Sequence, residues 1–382
     1  MWILVEIKRF FIFFYEEFFL FKIKNLKTRS DVTNRTKLLY KKNKIIRHNP
    51  LLNIELDKKF YNFYDIEIHK NKPLYTNSIL FYLIKKNKTE IFKNLVVIFN
   101  KMYNFQLKIG LELEFYIIDN KNNINILDGL KNVLGDLIYN IDYEKGNNQF
   151  EIKVVPYYDI IKLNEDYEKI LKLTKNFCNK NCLKLLMGGL PFDNDCGNAL
   201  QINLSLEKNG DNLFSRKIVG KSFIESDIML NCVAGLLKNI NNELLLYIKG
   251  ELCLKRFDLD KNVKLKNNKK YPAPTFICWG INNRSTAIRI PTPPVIDLRN
   301  YNELNDKNRR IEFRIPSADA NLELVLIGVI TSIIEGIENN LYPYVEKTSF
   351  DVLEKNSEFE KIETNFNKLN EIFMINSDIL FF

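Results

Sequence analysis

The chain has 382 residues, of which 46% are hydrophobic and 27% charged, values typical of globular proteins that exclude disordered, collagen-like and coiled-coil proteins. The net charge is +9, from 56 Lys and Arg against 47 Asp and Glu. Only two histidines, His48 and His69, are present. A Ser-His-Asp or Cys-His catalytic centre and an all-histidine zinc site are therefore excluded from the sequence beyond residue 69.

Hydrophobic periodicity divides the chain near Pro73. Residues 1–73 are weakly periodic and are predicted to form a divergent N-terminal region. Residues 74–382 are predicted to form one α+β domain. In chain order the pattern predicts one or two helices over 74–104, strands over 106–118 and 148–155, a helix over 159–186, a strand over 200–206, a helix over 224–248, strands over 275–290 and 309–315, and helices over 321–339 and 359–373.

Charge and apolar patterning also limit the partners. The basic runs are short and no nucleic-acid-binding module accompanies them, so we predict no nucleic-acid partner. The apolar stretch at residues 2–21 is interrupted by charges such as Glu6 and Arg9, which predicts no membrane span and leaves an interfacial amphipathic helix as the alternative. Six scattered cysteines are too few for a disulfide framework. Together these features predict a cytoplasmic protein.

Four of the predicted strands have one apolar face and one polar face, because side chains alternate along a strand. Their polar faces carry Glu112 and Glu114, then Glu151, then Gln201, Asn203 and Ser205, and finally Arg310, Glu312 and Arg314.

If these strands pair in one sheet, four glutamates converge on one face and repel one another unless a cation compensates. Mg²⁺ or Mn²⁺ suits such an oxygen-rich set. Nearby arginines (Arg284, Arg289 and Arg314) would clamp phosphate oxygens. The pattern therefore predicts metal-assisted phosphoryl transfer, and no P-loop motif accompanies it.

Five segments, in this order, resemble the motifs of the glutamine synthetase superfamily of ATP-dependent glutamate–ammonia or glutamate–amine ligases. They are Gly110–Phe115, Glu144–Glu151, Met187–Leu206, Ala273–Pro291 and Arg310–Asn321. The resemblance runs from about residue 74 to the C-terminus. It implies the family's catalytic domain, with a curved antiparallel sheet, a carboxylate-lined polar face and flanking helices.

The resemblance also implies the roles of individual residues. One Mg²⁺ or Mn²⁺ would bind Glu114, Glu144 and Glu151, and a second would bind Glu112, Glu312 and the position of Gln201. Arg284 and Arg314 would be catalytic, stabilising the transferred phosphoryl group. ATP and substrate would contact Gly197, Asn203, Ser205, Lys266, Arg284, Arg289 and Arg314. The implied product is a γ-glutamyl amide, made through γ-glutamyl phosphate, in nitrogen metabolism.

Several positions depart from the family pattern. Gln201 and Asn203 stand where the family has histidines, and the histidine at position 201 is a metal ligand in the family. Lys266 stands where the family has an arginine that binds the carboxylate of the substrate glutamate. Pro272 stands where the family has an acidic residue. Residues 1–73 show no clear match to the family's N-terminal β-grasp domain, so a degenerate β-grasp is one interpretation of that region.

Two hypotheses remain open at the sequence level. The first is an active ligase with small-molecule substrates (glutamate, ATP, and ammonia or an amine) that forms a homo-oligomer, as the resemblance implies. The second is a catalytically degenerate homologue that keeps the fold for binding or assembly.

Overall fold

The computed structural model describes residues 75–119, 124–219, 222–268, 270, 273–292, 306–354 and 359–380. The predictions for residues 1–73, including both histidines and the apolar stretch at 2–21, and the departure at Pro272 lie outside these residues. Contacts divide the chain into two compact units, Met1–Ser78 with Phe381–Phe382, and Ile79–Leu380. The description below concerns the second unit.

Eleven strands occur in the described residues, and nine of them form one sheet in the order β2-β3-β1-β5-β11-β10-β9, with β4 on the end of β1 and β6 on the end of β5. All pairings are antiparallel except the parallel pair β9–β10. A separate hairpin joins β7 and β8. The strands are β1 (Gln106–Ile118), β2 (Ile138–Tyr143), β3 (Gln149–Val154), β4 (Lys184–Leu186), β5 (Leu200–Lys208), β6 (Asp211–Asn212), β7 (Lys217–Val219), β8 (Ser222–Ile224), β9 (Trp279–Ile281), β10 (Ile288–Ile290) and β11 (Ile311–Phe313).

Seven α-helices flank the sheet in the described part of the chain. They are α1 (Tyr75–Tyr103), α2 (Ile126–Leu134), α3 (Ile160–Lys180), α4 (Asp227–Tyr247), α5 (Leu259–Asn267), α6 (Leu322–Glu338) and α7 (Phe366–Leu380). Side chains that accept hydrogen bonds from backbone N–H groups fix several starts, as Asp159 does for α3 and Ser226 for α4. None of the described helices is both long and apolar enough to cross a bilayer.

The core lies on the apolar face of the sheet. Ile109, Leu111 and Leu113 of β1 are almost fully buried there. Tyr247 of α4 packs edge-on against Phe313 of β11, with ring centroids 5.1 Å apart, which places this helix on the apolar face. The polar face is thereby left to form a site.

Helices α4 and α6 pack closely because glycine permits it. A Cβ atom added at Gly235 of α4 would collide with the carbonyl oxygen of Ser332 in α6. Any larger residue at position 235 would push the two helices apart.

The α+β class and the sheet with one polar face are confirmed, as are most of the predicted elements. Three predictions were wrong in extent. The helix predicted over 159–186 ends at Lys180, because Asn181 caps it and Cys182 takes a positive φ of 55°, after which residues 184–186 form β4. The single strand predicted over 275–290 is two short strands, separated by a turn that starts at Asn282 with a φ of 51°.

The last helix begins later than the predicted 359–373. Lys361 forms a β-bridge with Phe276, so this segment is extended. The Asn365 side chain accepts a hydrogen bond from the Lys368 N–H, which marks the start of α7. All six cysteines are free thiols, and only Cys182 is exposed.

Candidate functional site

The polar face of the sheet lines a cleft of about 710 Å³. Every side chain that the sequence singled out, except Lys266, lies on its wall. The residues brought together are Glu112, Glu114, Glu144, Glu151, Gly197, Gln201, Asn203, Ser205, Arg284, Arg289, Glu312 and Arg314.

Strand register explains why the carboxylates of β1 and β3 share this wall. Glu114 pairs with Glu151 across the β1–β3 ladder. Glu112 lies between Lys153 on one side and Gln201 of β5 on the other. Because directly paired residues point to the same side of a sheet, these five side chains form one polar surface.

The same surface continues across the second half of the sheet. Asn203 of β5 lies between Gly110 and Glu312, and Glu312 in turn pairs with Arg289 of β10. The register therefore places the Arg289 guanidinium next to the Glu312 carboxylate.

The turn that carries Glu144 is held against the start of β5. Gln149 accepts a hydrogen bond from the Gly146 N–H at 2.9 Å and donates to the carbonyl oxygen of Gly197 and to Asn198 Oδ1, both at 3.0 Å. Position 146 must be glycine, since a Cβ atom there would collide with the Tyr116 hydroxyl. These contacts fix Glu144 and Gly197 at the same end of the cleft.

Glu114 is buried and makes two short hydrogen bonds. Its carboxylate accepts from the Ala199 N–H at 2.8 Å and from Gln201 Nε2 at 2.7 Å. Burial, with the charge of Glu144, raises the pKa of Glu114 to about 7 although both hydrogen bonds lower it. Burial and the charge of Glu114 likewise raise the pKa of Glu151. The Lys153 ammonium, 3.0 Å from Glu151 Oε2, lowers that pKa, but burial and the neighbouring carboxylates outweigh it.

Glu112 is in a different environment. Burial, followed by repulsion from Glu151 and Glu312, raises its pKa to about 7, while Arg310 and Lys153 lower it. Its Oε1 atom accepts a hydrogen bond from Asn203 Nδ2 at 3.0 Å.

Glu312 is 1% exposed and pairs with two guanidinium groups. Arg314 Nη1 lies 2.8 Å from Oε1 and Arg289 Nη1 lies 2.8 Å from Oε2. Burial alone would raise the pKa of Glu312, but these two arginines hold it below its ordinary value. The Nε atoms of Arg289 and Arg314 are buried and make no hydrogen bond among the described residues, so one N–H of each guanidinium is unused.

Among the basic residues of the cleft that sequence reasoning left without a role are Lys153, Arg256 and Arg310. The alternation rule identifies two of them, since Lys153 and Arg310 share the polar faces of Glu151 and Glu312. Arg256 gave no such signal because it lies in a 3₁₀ helix, Glu251–Phe257. Its buried guanidinium donates to carbonyl oxygens, including those of Arg314 at 2.8 Å and Pro316 at 3.1 Å, and so supports the strand end that carries Arg314.

Lys266 lies elsewhere. It is on α5, and its ammonium group pairs with Asp351 at 2.8 Å and Glu354 at 2.7 Å rather than with any cleft residue. The substrate contact predicted for Lys266 therefore has no support in this geometry.

The two predicted metal-ligand sets share the cleft, but neither is in a coordinating arrangement. Within the described residues, no three His, Cys, Asp or Glu side chains stand where they could hold a metal ion. Glu114, Glu144 and Glu151 nonetheless suit Mg²⁺ or Mn²⁺ chemically, since all their donors are oxygens and burial beside neighbouring carboxylates raises the pKa values of Glu114 and Glu151.

The second set, Glu112, Gln201 and Glu312, does not suit a cation. Both oxygens of Glu312 are already paired with arginines. Gln201 directs its amide nitrogen to Glu114 and its oxygen towards Arg314 at 3.4 Å. The reverse orientation of this amide would place its oxygen against the Glu114 carboxylate. The roles of all these residues in binding metal stay predictions.

Comparison with known proteins identifies the fold. The family described as "Glutamine synthetase, catalytic domain" matches residues 125–372. Curated relatives include glutamine synthetase of Pyrococcus woesei, 26% identical over 60% of this chain and 47% of the relative. Gamma-glutamylputrescine synthetase of Escherichia coli (strain K12) is 24% identical over 65% and 54% of the two chains. Glutamate–methylamine ligase of Methyloversatilis universalis is 28% identical over 54% and 42%.

Solved structures agree on the fold. A cryo-EM structure of Plasmodium falciparum glutamine synthetase superposes with a TM-score of 0.60 at 16% identity, covering 77% of this chain and 71% of that one. An ADP complex of GmaS gives a TM-score of 0.58 at 17% identity over 76% and 68%. The chain spans about half the length of the curated relatives it matches.

Proposed function

Because the chain belongs to the glutamine synthetase catalytic-domain family, we propose that it is an ATP-dependent ligase that joins glutamate to ammonia or an amine. The product would be a γ-glutamyl amide, formed through γ-glutamyl phosphate. One observation carries this proposal: five glutamates and five arginines from separate segments line a single cleft of about 710 Å³. A purely structural sheet has no need to bury such a set.

The reaction has two balanced steps. A γ-carboxylate oxygen of glutamate would attack the γ-phosphorus of ATP, releasing ADP. The nitrogen of ammonia or an amine would then attack the γ-carbonyl carbon, lose a proton and expel phosphate. Both steps build negative charge on phosphoryl oxygens, which positioned cations stabilise.

Arginines of the cleft can supply much of that stabilisation. Glu312 fixes Arg289 and Arg314 in place, and both side chains line the cleft. A planar guanidinium already held in position loses little entropy when it binds a phosphoryl group. Arg284, on the same wall, is proposed to complete the set.

Glu114, Glu144 and Glu151 would hold Mg²⁺ or Mn²⁺, which would neutralise the charge of the ATP phosphates. Within the protein, Glu114 has a further task. Its hydrogen bonds to Ala199 N and Gln201 Nε2 tie β1 to the start of β5 and so keep the cleft wall in register.

A second candidate function is a degenerate homologue that binds a ligand or assembles without turnover. Lys266 favours it, because its ammonium group pairs with Asp351 and Glu354 outside the cleft, so the family's carboxylate grip is missing here. Gln201 favours it as well, because its amide is engaged by Glu114 and Arg314.

Phosphate release separates the two candidates. Purified full-length chain with Mg²⁺, ATP and glutamate should release phosphate when ammonia or a panel of small amines is added. Arg314→Met should abolish release, whereas Lys172→Met, on α3, should not. If no acceptor supports release and ATP gives no Mg²⁺-dependent rise in melting temperature, the ligase proposal fails.

Assembly is part of the same proposal. The family resemblance leads us to propose a homo-oligomer, for which light scattering of the full chain is the direct measurement.

A further inference from the structure

Asp195 is a buried carboxylate, 7% exposed, that neither proposed metal-ligand set uses. Its Oδ2 atom accepts a hydrogen bond from the Asn147 N–H at 3.0 Å. Its Oδ1 atom accepts from the Cys196 N–H at 2.8 Å and from the Lys270 ammonium group at 2.6 Å. Asp195 lies behind the wall of the cleft, because the next two residues line the cleft and Asp195 itself does not.

The three partners of Asp195 come from three separate parts of the cleft wall. Asn147 belongs to the turn between β2 and β3, Cys196 to the segment before β5, and Lys270 to the segment after α5. Each segment supplies residues that line the cleft, namely Glu144, Lys145 and Gln149, then Cys196 and Gly197, and finally Ala273 and Pro274. One carboxylate therefore joins parts of the wall that are far apart in the sequence.

The turn that carries Glu144 lies at the end of a hairpin on one edge of the sheet. Asn147 and Asn148 are exposed in this turn, and Asn148 takes a positive φ of 62°. A turn at the sheet edge moves easily unless hydrogen bonds outside the hairpin hold it. Asp195 supplies such a bond three residues after Glu144, so the position of the Glu144 backbone depends on it.

The ion pair with Lys270 extends this anchor to the other side of the cleft end. The Lys270 N–H donates to the Leu265 carbonyl oxygen at 3.0 Å, so the lysine starts from the end of α5. Its side chain is 22% exposed and that of Asp195 10%. A buried ion pair often contributes no more to stability than apolar residues of the same size, but its hydrogen bonds fix the directions of the groups that they join.

We propose that Asp195 is a positioning residue, which holds the Glu144 turn and the segment after α5 together and so keeps the Glu144 carboxylate on the cleft wall. This inference rests on the proposed function, because Asp195 acts through Glu144, a proposed metal ligand. Asp195 itself does not contact the metal ion or the substrates.

Metal affinity tests the inference without any turnover. Mn²⁺ alone is titrated into the full chain, and free Mn²⁺ is followed by its electron paramagnetic resonance signal. Asp195→Asn keeps the size of the side chain but leaves one oxygen where two accept hydrogen bonds. It should weaken Mn²⁺ binding by about 10-fold, the usual cost of removing a residue that supports a metal ligand.

Asp166→Asn is the matched control. Asp166 is also buried, and it pairs with Lys162 at 3.1 Å and accepts a hydrogen bond from the Tyr157 hydroxyl at 2.8 Å, but it does not line or support the cleft. This variant should bind Mn²⁺ as the wild type does. Circular dichroism melts show whether each variant is folded. If Asp195→Asn is not, Lys270→Met removes only the ion pair and should weaken Mn²⁺ binding in the same direction, by less.

A double-mutant cycle separates positioning from a general structural role. If Asp195 acts through Glu144, adding Asp195→Asn to Glu144→Gln should lower Mn²⁺ affinity further by less than about 2-fold, because the two changes remove the same interaction. A general structural role would lower the affinity by the same factor with and without Glu144→Gln.

Hydrogen–deuterium exchange without metal gives a second measurement. Asp195→Asn should speed exchange in residues 144–149, and Asp166→Asn should not. Unchanged exchange, unchanged Mn²⁺ affinity in Asp195→Asn, or equal losses in the two backgrounds would overturn the role of Asp195 and leave the ligase proposal intact. No Mn²⁺ binding by the wild type contradicts the ligase proposal itself, and the inference falls with it.

Discussion

Two glutamates are buried to nearly the same degree, Glu312 in the cleft and Glu243 in the helical layer, but their pKa values are shifted in opposite directions. Glu312 lies between two guanidinium groups that hold its pKa below the ordinary value. Glu243 of α4 receives hydrogen bonds from the hydroxyls of Tyr247, Ser332 and Thr331. Burial, with the charge of Glu335, raises the pKa of Glu243 to about 8.

The difference shows that burial alone does not make a site. In the helical layer the protein accommodates a buried carboxyl by keeping it protonated. In the cleft it keeps the carboxylate charged by surrounding it with arginines, and those arginines then become available to a ligand.

The largest expected effect tests this contrast directly. Glu312→Gln should lower the free energy of unfolding by about 3 kcal/mol, because it leaves two arginines without their shared buried partner. Glu243→Gln should cost less than about 1 kcal/mol, since glutamine resembles a protonated glutamate and hydroxyls can rotate to accept from its NH₂ group. Urea denaturation measures both, and similar costs for the two variants would contradict the assigned charge states.

The next effect concerns ligand binding within the cleft. Glu144 is half-buried in a turn, so Glu144→Gln should leave stability nearly unchanged. Glu144→Gln should weaken Mn²⁺-dependent ADP binding by about 10-fold or more. Removing a residue that only supports a metal-binding side chain already costs about that much, and removing the metal-binding side chain itself should cost at least as much. Calorimetric titration gives the affinity, and Glu165→Gln on the exposed side of α3 is the matched control. Equal affinities for the two variants would remove Glu144 from the metal set.

The third effect is the pH dependence of stability. Because the pKa of Glu243 is raised to about 8, the folded state binds more protons than the unfolded state between about pH 5 and 8. Its contribution to stability is complete below the unfolded pKa and is lost as pH rises, by at most about 1.4 kcal/mol per pH unit. Glu312 has a lowered pKa, so its contribution is lost only on acidification and adds no slope in this range.

Unfolding free energies of the wild type and Glu243→Gln, measured from pH 5 to 8, check this expectation. The wild type should lose stability as pH rises, and the variant should lose less. Parallel curves would show that Glu243 does not titrate in this range.

The smallest effect lies outside the cleft. Lys266→Met removes surface ion pairs with Asp351 and Glu354 and should change the free energy of unfolding by less than about 1 kcal/mol. If the proposed ligase is active, its KM for glutamate should not change, because Lys266 does not line the cleft. A clear rise in that KM would show that Lys266 moves to the substrate.

Much of the cleft was predictable because a strand has a period of two. Once Glu112, Glu114, Glu151 and Glu312 were assigned to amphipathic strands, alternation placed them on one face, and the register confirms that they share it. Short or interrupted elements were less predictable. The turn at Asn282 and the cap at Asn365 depend on local backbone geometry that hydrophobic periodicity does not report.

The sequence by itself determined the fold class, the polar face and the residue types that line it, since all three follow from alternation and motif order along the chain. It also showed that four clustered glutamates need compensating positive charge. Only the tertiary structure decided where that charge comes from. Arg289 reaches Glu312 across the β10–β11 pairing, and Lys266 pairs with Asp351 instead of a cleft residue, because Coulomb interactions depend on distances in space that sequence separation does not give.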